Sequence, residues 1–120
     1  MKAYKVVRYD SGKYTSHSGI HSLEYNLGVK TVPTFGRIFV FKNQKKAEIF
    51  ARGHKNAAIL EGEAEDCRIA FIGSAHPCRD QFFWEMKKRH KKPSCQVIIL
   101  PKGSYTCTSF TPERMVSFSS

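Results

Sequence analysis

The stretch that most constrains this chain runs from Gly36 to Glu65, GRIFVFKNQKKAEIFARGHKNAAILEGEAE, and it reads as strand, short helix, strand. Ile38, Phe39, Val40 and Phe41 form a β-branched and aromatic run of strand length. Asn43 has the side chain to cap the helix that follows, in which Ala47, Phe50 and Ala51 share one face. Gly53 stands where a left-handed C-terminal cap is expected. From Ala58 the period changes to two. Ala58, Leu60, Gly62 and Ala64 fall on one face; Ile59, Glu61, Glu63 and Glu65 take the other, which the pattern predicts to be mostly wet. The unit speaks to architecture and is silent on chemistry.

The flanks supply more strands. Ala3 to Tyr9 alternates, Asp10-Ser11-Gly12-Lys13 is a turn signal, and Tyr14 to Ser16 returns, which predicts a β-hairpin. Leu23, Tyr25, Leu27 and Val29 alternate as a further strand interrupted by Gly28. Ile69 to Ile72 is a short apolar run. Asp80 to Lys91 reads as a second amphipathic helix, with Phe82, Phe83 and Met86 inward, Asp80 at the positive end of the dipole and Pro93 as its stop. Gln96 to Leu100, QVIIL, predicts a strand that is buried on both faces or central in the sheet. Tyr105 to Phe110 runs back, Thr111-Pro112-Glu113 breaks it, and Arg114 to Phe118 adds an edge strand. The expectation is a single α+β domain over residues 1–120. It is a mainly antiparallel sheet of about five to seven strands with two helices packed on it.

Hydrophobic residues make up 41% of the chain and aromatics 12%, enough for a packed core. No apolar run approaches the roughly 20 residues of a membrane span. The opening MKAYKVVRYD lacks an apolar signal core, so a cytoplasmic protein without membrane contact is expected. Twenty basic residues against ten acidic ones give a net charge of +10, an excess that suits a polyanion or an acidic protein surface. The densest cluster is KKRHKK, with Lys87, Lys88, Arg89, Lys91 and Lys92. Trp84 just upstream adds an aromatic face of the kind that stacks on bases. Lys45, Lys46, Arg52 and Lys55 form a second patch. The plainer reading of both is a solvated surface.

Signals for catalysis are sparse. The four cysteines, at 67, 78, 95 and 107, contain no CxxC and read as free and partly buried. His76, Cys78, His90 and Cys95 are ligand types that Zn²⁺ accepts, but their spacing meets no standard module. His17 and His21 make a weaker pair still. Glu61, Glu63, Glu65 and Asp66 form one carboxylate cluster, read either as acid/base material or, more simply, as a strand face balancing nearby lysines. There is no G-x-S-x-G, P-loop, H-E-x-x-H or glycine fingerprint. No catalytic residue, metal or cofactor is assigned.

Three segments carry a resemblance: YKVVR with GKYTS, FGRIFVFKNQKKAEIFA, and ILPKGSYTCTSFTPERMV. Together they resemble small proteins of unknown function carried by phages and other mobile elements, which would place the chain in the host cytoplasm. A more distant likeness is to the ADP-ribosyltransferase fold, through Arg8 on an early strand and VIILPKG from Val97 to Gly103. The place of that family's catalytic Glu holds Ser94-Cys95-Gln96. A Gln offers no negative charge to an oxocarbenium-like centre, so this likeness implies the fold without the activity. The leading expectation is therefore a non-enzymatic basic accessory protein, binding nucleic acid or a host nucleoprotein machine through its Lys/Arg patches. The alternatives are an inhibitor or assembly factor docking on an acidic partner, and an ADP-ribosyltransferase-like enzyme.

Overall fold

The computed structural model describes residues 1–16, 23–33, 36–70, 72–74, 97–99 and 103–119, and they build a main antiparallel sheet carrying one helix, with a separate two-stranded pair. β1 (Lys2–Asp10) and β2 (Lys13–Thr15) form the expected hairpin around Ser11-Gly12. Both turn residues have positive φ, 53° and 78°, the type I′ geometry whose twist matches that of the strands it joins. β3 (Glu24–Tyr25) adds to β2. β4 (Ile38–Phe41) leads into α1 (Gln44–Ala51), and β5 (Ala57–Glu65) follows. Asn43 caps α1 as read from the sequence: its Oδ1 accepts from the Lys45 and Lys46 amides at 2.8 and 3.3 Å. β6 (Arg68–Ile69), β7 (Ile72–Ser74), β8 (Val97–Ile99), β9 (Ser104–Cys107) and β10 (Ser109–Ser119) complete the order.

In the main sheet the order is β10-β5-β1-β4-β9-β6, with β2 on β1 and β3 on β2; β7 and β8 pair with each other. The segment after β3 turns back to β10. Thr31 and Phe110 exchange both backbone hydrogen bonds, at 2.9 and 3.0 Å, and the Gly28 amide donates to the Pro112 carbonyl at 2.7 Å. The path β10, β5, β1, β2, β3 thus closes on itself. It gathers Ala3, Val7, Tyr25, Leu60, Ala64 and Phe110 into one cluster, in which the Tyr25 and Phe110 rings meet edge to face at 6.2 Å. On the opposite face α1 lies over Val6, Ala57 and Ile59, with Ala47, Ala51 and Phe41 against them and Phe50 packed beside. The radius of gyration, 13.4 Å, matches the roughly 13.6 Å of a single 120-residue domain.

Several expectations are corrected. The main sheet has eight strands and the separate pair two more, beyond the five to seven expected; α1 is the one helix among the described residues. The expected helix from Asp80 to Lys91 lies outside them. The strand expected through Val29 stops at Tyr25, because Gly28 at φ 80° sits in a turn closed by the Val29 amide on the Asn26 carbonyl; Leu27 and Val29 are exposed. The second face of β5 is not mostly wet. α1 covers Ile59, which is 1% exposed. Glu61, 7% exposed, is held among Arg114, Lys2 and Tyr4, and only Glu63 and Glu65 reach solvent. Gly53 is not the left-handed cap: Arg52 ends the helix in right-handed geometry, and the positive φ falls on Asn56 at 54°. Residues 105–110 do not form one strand, since the chain changes partner at Thr108, from β4 to β5. Pro112 does not end β10. A register shift between Pro112 and Arg114 carries the strand past it. Among the described residues Val97–Ile99 pairs with β7 alone and is not central.

That register shift presses β10 onto β5. A Cβ at Gly62 would stand 2.1 Å from the Thr111 carbonyl oxygen, whereas one at Gly53 meets nothing within 4 Å. Gly62→Ala should therefore cost about 3 kcal/mol in urea unfolding, the upper range for overpacking a fixed backbone. Gly53→Ala should be neutral or stabilise by about 0.4–1 kcal/mol, because its φ needs no glycine. A substantial loss at Gly53 would contradict the cap geometry described here.

Candidate functional site

Two assemblies stand out among the described charged side chains. The acidic one runs along the C-terminal half of β5, beside β10, and into the turn that leads to β6. Glu61 is opposite Tyr4 on β1 and Arg114 on β10, and its Oε1 accepts from Arg114 Nε at 3.0 Å with Lys2 Nζ at 3.8 Å. Glu63 holds the α-amine of Met1. Glu65 holds Lys30 Nζ at 2.6 Å and accepts from Ser109 Oγ at 2.8 Å. Asp66 bridges Arg37 at 3.1 Å and Arg68 at 3.3 Å, and Arg37 Nε is turned onto Thr106 Oγ1 at 2.9 Å.

Each of the four carboxylates is thus matched to a cation. The Arg114 hydrogen bond holds Glu61 below its ordinary range, against a smaller opposing effect of burial. Lys30 and Ser109 lower Glu65, and Arg37 lowers Asp66. A general acid working near neutrality needs a raised carboxyl pKa. These three are shifted the other way, and their geometry is that of strand-to-strand ties.

The second assembly surrounds α1. Lys42, Lys45, Lys46, Arg52 and Lys55 fall within residues 42–55 against one carboxylate, Glu48. All five are exposed, and none makes an ion pair among the described residues. Glu48 accepts from Gln44 Nε2 at 3.2 Å, one helical turn back. Lys45, Ile49 and Arg52 share a face at i, i+4, i+7, and Ile49 is 53% exposed between the two cations. The Lys46 stem lies against the backbone of Gly103, which has φ +93°. Lys42 stands over the Tyr105 ring at 6.0 Å from its centre. Lys42 joins the sequence-predicted patch of Lys45, Lys46, Arg52 and Lys55; its place three residues before Lys45 is the signal for it in the sequence.

Of the residues singled out from the sequence, Lys45, Lys46, Arg52 and Lys55 are brought around one short helix. Trp84, Lys87, Lys88, Arg89, Lys91 and Lys92 lie outside the described residues, as do His17, His21, His76, Cys78, His90 and Cys95. No group of three or more His, Cys, Asp or Glu among the described residues could hold a metal ion. Arg8 is on β1, with its guanidinium 3.9 Å from Asp10. Ser94, Cys95 and Gln96 are outside the described residues. No helix among the described residues is long and apolar enough to cross a membrane.

A carboxylate whose folded pKa is lowered contributes stability that is complete above its unfolded pKa and is lost as pH falls through the folded value. For Glu61 the unfolded value is near 4.5. Arg114→Leu should therefore unfold more readily than the parent chain at neutral pH, and the gap between the two denaturant midpoints should close as pH drops below 4.5. A gap that stays constant to acid pH would show that Arg114 acts by packing alone. No family model matches this chain, and no curated protein and no solved structure matches it.

Proposed function

We propose that this protein is a non-enzymatic binding module that holds a phosphate-bearing polyanion, nucleic acid in the first place, against the outer side of α1. The observation that carries the reading is the segregation of charge. The carboxylates of β5 are matched within the sheet, while the five cations of residues 42–55 have no carboxylate partner among the described residues.

The position of Lys45 and Lys46 adds to this. They occupy the first turn of α1, which has no acidic residue, so their charge adds to the positive end of the helix dipole. For the isolated fold that placement is unfavourable; a bound anion relieves it. The helix is eight residues and therefore about 12 Å long, the axial rise of roughly three to four phosphates along one duplex strand. Contacts of this type supply affinity and salt dependence without choice of sequence. The second basic run, Lys87 to Lys92, adds to the positive charge of the chain. The same proposal places the module among accessory proteins of mobile elements, acting in the host cytoplasm on nucleic acid or a nucleoprotein machine.

Binding of nuclease-treated protein to short single- and double-stranded nucleic acids across a salt series tests the reading. Each phosphate contact on a duplex contributes about −0.9 to the slope of log affinity against log salt. Changing Lys45, Lys46, Arg52 and Lys55 together to Gln should flatten that slope by roughly 2–4 and leave the melting temperature unchanged. An unaltered slope would remove α1 from the interface. Absence of binding at low salt, with a protein retained in nuclease-treated pull-downs, would transfer the role to an acidic protein partner.

A further inference from the structure

Cys67 and Cys107 are the free cysteines among the described residues. Cys107 ends β9 fully buried in the cluster with Ile38, Val40 and Phe110, and Cys67, which precedes β6, packs against the same cluster. The ladder between β6 and β9 sets Arg68 opposite Thr106 and Ile69 opposite Tyr105. One step further along it, Cys67 falls opposite Cys107. The Ala70 amide donates to the Ser104 carbonyl at 3.0 Å, which sets the phase of the ladder. Positions 70 and 68 are the hydrogen-bonded ones, so 69 and 67 are not. Non-hydrogen-bonded pairs are the close ones, with Cα atoms about 4.5 Å apart and side chains on one face. A disulfide spans Cα separations of about 4.4–6.8 Å. Continued one residue past β6, this register gives the two free thiols a separation in that range.

We propose that Cys67 and Cys107 form a redox-modification site that closes to a cross-strand disulfide when a low-molecular-weight disulfide, such as oxidised glutathione, is supplied. Cys67 is the less buried thiol and reacts first. Its thiolate attacks one sulfur of the oxidant, the oxidant's S–S bond breaks, and one glutathione thiolate leaves and takes up the proton that Cys67 lost. The Cys107 thiolate then attacks the Cys67 sulfur, the mixed disulfide breaks, and the second glutathione leaves with the remaining proton. Two protein thiols lose two electrons, and one small disulfide becomes two thiols. The second step is intramolecular, so the burial of Cys107 does not bar it.

Burial also sets the pace. It pushes Cys107 up to about 12, against smaller downward pulls from Lys5 and Arg37. It raises Cys67 as well, where the Met1 amine and Arg37 pull down and Asp66 and Glu63 push up. Closure is accordingly slow at neutral pH and quickens as the thiolates form. The bond would fasten β6, a two-residue strand at the sheet edge with Ile69 62% exposed, to β9, and would close residues 68–106 into a loop.

The experiment uses the full chain and a Cys78→Ser/Cys95→Ser variant in parallel, so that misfolding of the variant leaves a second background. Each is incubated folded with oxidised glutathione at mildly alkaline pH. Remaining thiols are alkylated in denaturant, and the peptides are mapped without reduction. The expected result is a peptide linking Cys67 to Cys107, lighter than its two parts by two hydrogens, in the variant and in the full chain. Its absence from both, with Cys67 unreacted or carrying glutathione only, would overturn the proposal.

Discussion

Everything in this fold hangs on β5. It is covered on both faces and paired on both edges, by β1 on one side and β10 on the other. Ala57 to Gly62 are all buried, so its side chains cannot slip by one residue without exchanging the core that α1 covers for the core that β3 and the following segment cover. Large side chains such as Ile59 and Leu60 contribute about 1.5–3 kcal/mol each on burial. Register is thereby specified twice over. Gly62 is the local condition for this arrangement, because only a residue without Cβ lets the bulged part of β10 approach so closely.

Two further features follow from that centre. The first is the closure of the sheet path through Thr31 and Phe110, which covers part of the outer edge of β10 with backbone hydrogen bonds from residues 28–31. An edge strand covered in this way is shielded there from pairing with other chains. The second is the electrostatic seam along the far half of β5. Glu61, Glu63, Glu65 and Asp66 each meet a cation from a different part of the chain: Arg114, the N-terminus, Lys30 and Arg37. These pairs tie strand ends together.

The charge excess acquires a location from the same accounting. Once the carboxylates of the seam are matched, cations without such partners concentrate around α1, where lysines sit at the helix end that ordinarily attracts acids. The helix is oriented by its apolar face: Ala47 and Ala51 against Val6, Ala57 and Ile59 turn Lys45, Ile49 and Arg52 outward. Packing and surface charge are thus two sides of one short element.

By itself the sequence determined the elements that local chemistry controls. The Ser11-Gly12 hairpin, the Asn43 cap, the inward face of α1 and the alternation of β5 were all legible, because each depends on dihedral preference or side-chain period within a few residues. The surface patch at Lys45, Lys46, Arg52 and Lys55 was legible as composition. What only the tertiary structure decided is which faces are covered and which strands meet. Ile59 reads as half-exposed until α1 folds over it, and Leu27 and Val29 read as strand until Thr31 commits that segment to β10. Pro112 reads as a break until a register shift accommodates it, and Cys67 and Cys107 are strangers until β6 and β9 pair. Burial and register arise from contacts between residues far apart in the chain, and no local pattern encodes them.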